Sequence, residues 1–138
     1  MIVIDASAIV AALLHTSAAE AVRQHLFAPH QSLHAPHLLD VEVTHVLRRY
    51  TMSRELDEER GRGALGALAA FPIRRYAHDL LLSRVWQMRN NFSAYDAVYV
   101  ALAEALDAEL LTCDRRLANA AAQYVWIEVI SVCLELPA

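Results

Sequence analysis

Four acidic side chains stand where apolar segments end or helices begin: Asp5 after Ile2-Val3-Ile4, Glu42 shortly after Pro36, Asp96 in Ser93-Ala94-Tyr95-Asp96, and Asp114 after Leu110-Leu111-Thr112. Their neighbours are mostly alanine, leucine and valine. A carboxylate among such residues is costly unless a positive group compensates it. Several carboxylates meeting at one point repel one another, and a divalent cation is the usual remedy. A cation held this way polarises a phosphate ester and lowers the pKa of an attacking water. The four acids therefore point to a Mg²⁺-dependent hydrolase, with Mn²⁺ as the alternative ion.

For that chemistry the acids must meet, and the elements between them allow it. Alternating apolar strands and helices predict an α/β fold, with a short, mainly parallel sheet covered by helices on both faces. In such a sheet ligands bind outside the carboxyl ends of the strands, where Asp5 and Asp114 both fall. A helix from Ala94 climbs roughly 20 Å at 1.5 Å per residue. The strand that follows returns roughly 16 Å at 3.3 Å per residue, which brings Asp114 back near Asp96. Glu42 lies at helical spacing from Leu38, Leu39 and Val46, so it points along the apolar stripe. Asp40 falls on the opposite face and is expected in solvent. Each acid also has a purely structural reading. Asp5 and Asp114 are well placed as helix N-caps, Ser93-x-x-Asp96 fits a capping box, and Glu42 could pair with an arginine.

The elements expected from periodicity and turn signals are strands at 2–5, 33–35, 73–76, 109–112 and 126–132. Helices are expected at 6–14, 17–27, 37–50, 54–71, 78–89, 94–106 and 114–122. Ser17, with Glu20 three residues on, is the expected cap of the second helix. The 138 residues fit a single domain, 1–138, with one core.

The chain is 57% hydrophobic, with a mean hydropathy of +0.26. That surplus predicts apolar surface for a partner. Ile9, Val10, Leu13, Val22 and Leu26 on the first helices are the candidates for a homodimer or partner contact. No apolar run approaches the roughly 20 residues of a membrane span, and Asp5 interrupts the apolar start before it can read as a secretory signal. The cysteines Cys113 and Cys133 predict a reducing cytosol rather than a disulfide framework. Net charge is −4, which weighs against a nucleic-acid partner until bound metal is counted. All 12 basic residues are arginine, whose planar fork suits phosphate oxygens.

Two other patterns are set aside. Gly61-Arg62-Gly63-Ala64-Leu65-Gly66 satisfies G-x-G-x-x-G but follows a charged, helical stretch rather than a strand, so close helix packing or a kink is expected instead. His30, His34, His37 and His45 lack a zinc spacing and read as surface or hydrogen-bonded histidines.

The opening Ile2-Val3-Ile4-Asp5-Ala6-Ser7-Ala8, the acid Glu42, the stretch from Tyr95 to Ala103 and the ending from Leu111 to Leu117 resemble a PIN domain. More narrowly, they resemble the VapC-type ribonuclease toxins of bacterial toxin–antitoxin pairs. The resemblance implies a PIN-like three-layer fold and an endoribonuclease that hydrolyses RNA phosphodiesters, leaving a 5′-phosphate and a 3′-hydroxyl. It implies Asp5, Glu42, Asp96 and Asp114 as catalytic metal ligands, with Ser7 and Thr112 as hydroxyls beside them. Neutral Asn119 stands where some members carry a further polar or acidic group. Arg115 and Arg116 are candidates for RNA phosphate contacts, and a VapB-like antitoxin is the implied partner. Two rivals stay open: a phosphatase working through an aspartyl phosphate on Asp5, and a catalytically silent, metal-stabilised protein-binding module.

Overall fold

The computed structural model describes residues 1–124 and 129–131. Five parallel strands form one sheet in the order β3-β2-β1-β4-β5. They are β1 (Ile2–Ile4), β2 (Leu33–Pro36), β3 (Ile73–Tyr76), β4 (Glu109–Thr112) and β5 (Val129–Ser131). The helices are α1 (Ala6–Leu14), α2 (Ala19–Leu26), α3 (Leu38–Met52), α4 (Glu58–Ala70), α5 (Leu82–Gln87), α6 (Ala94–Leu106) and α7 (Arg115–Ala121). A 3₁₀ turn, Asp79–Leu81, precedes α5.

The first strand is the middle of the sheet. Ile2, Val3 and Ile4 are all fully buried, as the unbroken β-branched run requires of a strand covered on both faces. Ile2 pairs with Leu33 on one side and Glu109 on the other, and Ile4 pairs with Leu111. From β1 the chain moves outward through β2 and β3, then crosses back to build β4 and β5. The direction of strand addition therefore reverses between β1 and β4, which is where a doubly wound sheet opens a crevice. Asp5 and Asp114 follow those two strands.

Helices cover the sheet as a three-layer α/β arrangement, α6 with α5 forming one group and α1 to α4 the other. Helix α6 packs against β1, β2 and β4, and every residue from Ala97 to Ala103 is buried. An apolar helix with small residues all round belongs in a core. Its first turn, which carries Asp96, opens at the same edge of the sheet as Asp5 and Asp114.

Several expectations shift. The helix expected from residue 54 starts at Glu58, with Asp57 accepting from the Arg60 amide at 2.8 Å. Arg54 instead takes a left-handed φ of 63° in the turn before it. The helix expected at 78–89 divides into the 3₁₀ turn and the shorter α5. Ala18, not Ser17, holds the N-cap position of α2, with no side-chain cap. Of the strand expected at 126–132, Val129–Ser131 is seen, and the remainder lies outside the described residues, as does Cys133. Asp40 is not free in solvent: its two oxygens grip Arg75 of β3 at 2.7 and 2.8 Å. This pair ties α3 to an edge strand.

Three further corrections come from packing. Ile9, Val10, Val22 and Leu26 are buried and Leu13 is partly buried, so α1 and α2 use these residues in the core and the surface set is wrong. The exposed large apolar residues include Val41, Met52, Leu65, Leu80, Leu82 and Trp86. The glycine pattern lies inside α4, where a Cβ on Gly61 would sit 3.3 Å from Thr51 Oγ1 of α3. Gly61 thus permits close helix packing and cradles no phosphate. His34 is buried between the Ser32 hydroxyl at 2.8 Å and the Tyr76 hydroxyl at 2.7 Å, and burial lowers its pKa.

Candidate active site

Asp5 leaves β1 and caps α1. Its Oδ1 accepts from the Ala8 amide at 3.0 Å and from the Ser7 hydroxyl at 2.7 Å, and its Oδ2 accepts from the Thr112 hydroxyl at 2.5 Å. Burial pushes its carboxyl up to about 6. The three hydrogen bonds hold it down, and the nearby charge of Asp114 adds to the rise. Ser7 and Thr112 each use their single proton on Asp5 and accept from the main chain of the next segment. Ser7 Oγ takes the Cys113 amide and Thr112 Oγ1 takes the Asp114 amide, both at 2.9 Å. Two hydroxyls thereby lock the end of β1 to the end of β4.

Asp114 caps α7, its Oδ1 accepting from the amides of Arg116 at 2.9 Å and Leu117 at 3.2 Å. Asp96 sits in the first turn of α6, where its amide donates to Ser93 Oγ at 3.2 Å. Its carboxylate does not return the bond to complete a capping box. It reaches Arg116 instead, with Oδ2 2.9 Å from Nη2, and the same nitrogen lies 3.5 Å from Asp114 Oδ2. One guanidinium thus bridges two acids that are 18 residues apart in sequence.

Glu42 is half-buried on α3, and its Oε1 accepts from the Tyr99 hydroxyl at 2.6 Å. Burial raises the Glu42 pKa, Asp96 adds to the rise, and Tyr99 opposes it. Tyr99 lies three residues after Asp96 on α6, so both side chains share one helix face. Its phenol is buried and pushed far above its ordinary range, by burial first and then by Glu42, Asp5 and Asp96. It therefore stays a proton donor at every pH of interest. Tyr99 is the member of the group that sequence reasoning left without a role, although its three-residue offset from Asp96 is the signal that marks it. Tyr99→Phe should lower stability by about 1 kcal/mol in urea denaturation, because a half-buried acceptor loses its donor.

Arg116 therefore joins Asp96 to Asp114, Thr112 joins Asp114 to Asp5, and Tyr99 joins Glu42 to the Asp96 helix. Among the described residues, no three acidic, histidine or cysteine side chains are gathered closely enough to hold a metal ion as they stand. Arginine and hydroxyl groups occupy the spaces between the acids. Arg115 and Asn119 are exposed on α7, and no hydrogen bond links either to the acids among the described residues.

Residues 2–123 match the family model described as PIN domain. Over 119 residues the chain is 50% identical to ribonuclease VapC1 of Mycobacterium tuberculosis, covering 86% of this chain and 89% of that protein. The chain belongs to the PIN-domain family, in its VapC branch. Ribonuclease VapC12 of the same organism is 35% identical over 131 residues, covering 95% of this chain and all of that protein (100%). The crystal structure of M. tuberculosis VapC20, described as a sarcin–ricin loop cleaving toxin, superposes with a TM-score of 0.69 at 14% identity. It covers 93% of this chain and 99% of that one, and at that identity it speaks to the PIN fold alone. No helix among the described residues is long and apolar enough to cross a membrane.

Proposed function

We propose that this PIN domain is a metal-dependent endoribonuclease, the toxin of a type II toxin–antitoxin pair, with Asp5, Glu42, Asp96 and Asp114 holding Mg²⁺ or Mn²⁺. The observation that carries this reading is the shared guanidinium: Asp96 and Asp114 are brought within reach of one cation, at 2.9 and 3.5 Å. The donor chemistry fits a hard ion, since the linked group offers carboxylate oxygens and hydroxyls rather than imidazole. When bound, the ion supplies Lewis acidity and a more acidic water.

The chain's own residues do the positioning. Ser7 and Thr112 fix the rotamer of Asp5, and its Oδ2, which accepts from Thr112 alone, keeps a lone pair for an ion. Tyr99 fixes Glu42 in the same way. The N-terminal end of α6 favours negative charge near Asp96, and Arg115 is exposed and able to reach a flanking phosphate. A VapB-like antitoxin is the proposed partner, and the shallow apolar groove between α3 and α4, lined by Leu47, Met52 and Leu65, is a surface it could cover. Self-association as a homodimer is part of the same proposal, and sedimentation at micromolar concentration tests it.

The phosphatase reading is weaker on this geometry. Asp5 is buried with both oxygens engaged, and Ser7 stands where such an enzyme needs a second aspartate. A silent binding module differs from the nuclease in an RNA assay. With a net charge of −4, RNA affinity should be low in EDTA and rise with Mg²⁺ or Mn²⁺. Ca²⁺, with looser geometry, should support binding but little cleavage. Equally tight RNA binding in EDTA and in Mg²⁺ would move recognition to an arginine surface away from these acids.

A further inference from the structure

Arg116 occupies an odd position for a residue that is itself mostly exposed. It is the second residue of α7, its backbone amide is held by the cap Asp114, and its guanidinium turns back to Asp96 on α6. The Arg116 side chain is 71% exposed, whereas that of Asp96 is 16% exposed. The arrangement is therefore one-sided: a half-enclosed carboxylate, a second carboxylate beside it, and a flexible cation arriving from solvent. Ion pairs with such an exposed partner are weak and easily exchanged. Yet without some cation, Asp96 and Asp114 would face each other uncompensated, with Asp5 and Glu42 close behind.

From this geometry we infer that Arg116 is an internal counter-ion that competes with the divalent cation for Asp96 and Asp114, and so sets how tightly this chain binds metal. The inference rests on the reading of these acids as the metal site. The guanidinium takes Asp96 Oδ2 and approaches Asp114 Oδ2, the oxygens a metal would need. Two cations cannot share them without repulsion. Arg116 thus keeps the acids together in the metal-free protein and must swing aside for the ion, at a small cost because its far end is already in water. It acts on the reaction through these acids and is a positioning residue.

Calorimetric titration of Mn²⁺ into wild type, Arg116→Gln and Arg116→Lys tests this, with the thermal midpoint of each protein measured in EDTA and in saturating Mn²⁺. Arg116→Gln keeps most of the stem and removes the charge, so it should bind Mn²⁺ about two- to fivefold more tightly, the range expected for an exposed pair. Arg116→Lys should stay within about twofold of wild type, because the competing charge is restored. The Gln variant should melt below wild type in EDTA and level with it in Mn²⁺, since the ion replaces what the arginine supplied. An arginine with only a structural role would lower both midpoints alike, and that result overturns the inference. Equal or weaker Mn²⁺ affinity in Arg116→Gln overturns it while leaving the metal site standing. If neither protein binds Mn²⁺, the metal site itself is refuted and the inference falls with it. Binding seen in the variant alone would be the strongest support.

Discussion

Asp96→Asn should lower RNA cleavage in Mg²⁺ by at least about a hundredfold, the size of loss seen when one essential electrostatic group is removed from an active site. Asparagine has nearly the same shape, and the cap of α6 is undisturbed because the bond to Ser93 comes from the Asp96 main chain. What disappears is one negative charge in the group that Arg116 bridges. The fold should therefore persist, with the circular dichroism spectrum unchanged and the thermal midpoint in EDTA within a few degrees of wild type. Mn²⁺ affinity should fall in parallel with cleavage. Near-normal cleavage by Asp96→Asn at saturating Mg²⁺ would remove Asp96 from the catalytic group.

The other large effect is on stability, and it turns on pH. Asp5 moves from an ordinary 3.8 to about 6 in the folded protein. A carboxyl raised this way binds its proton more tightly folded than unfolded. Its contribution is fully present below the unfolded value and is lost as pH climbs from about 4 through about 6. A shift of two units corresponds to about 3 kcal/mol. Asp5→Asn stays neutral throughout, so subtracting its stability from that of wild type isolates this residue from all other titrations. In EDTA the two proteins should unfold at similar urea concentrations near pH 4. By pH 7 the variant should be more stable by up to about 3 kcal/mol. Adding Mg²⁺ should narrow the gap, because an ion that binds only the folded wild type stabilises it by mass action. A difference that stays flat from pH 4 to 7 would mean that Asp5 does not titrate in that window.

The positions of these acids were legible because they are set by the ends of elements. Ile2-Val3-Ile4 and Leu110-Leu111 are apolar without alternation, so they read as strands buried on both faces, and the residues just past the end of such a strand lie at the sheet edge. The cap reading and the proposed site reading are compatible. Asp5 and Asp114 do cap α1 and α7, and a cap on a helix that comes after a parallel strand stands where ligands bind in such sheets. One carboxyl group can serve both: Asp114 caps α7 through Oδ1 and turns Oδ2 toward Arg116.

Long-range pairing was not legible. Asp40 meets Arg75 from 35 residues away, and Asp96 meets Arg116 from 20. Side chains with four rotatable bonds find partners that periodicity does not encode. Nor does periodicity say what covers an apolar stripe. Ile9, Val10, Val22 and Leu26 look the same in sequence whether another protein or the rest of this chain buries them, and here the chain does. The helix boundaries at 54–58 and 78–82 slipped for a local reason, since the backbone turns there come from a left-handed Arg54 and a tight 3₁₀ turn rather than from any Gly or Pro.

The place of β1 has a consequence in time. It comes before the other described strands in the chain, yet it is the sheet's central strand, and its partner β4 begins only at Glu109. The hydroxyl lock on Asp5 requires Thr112, and Asp114 lies beyond it. Contacts spanning so much sequence close late and slowly. A growing chain can complete α1, α3 and even α6 while its acids remain unassembled. For a ribonuclease, this delay withholds a finished site from the nascent polypeptide until the segment through Asp114 has emerged.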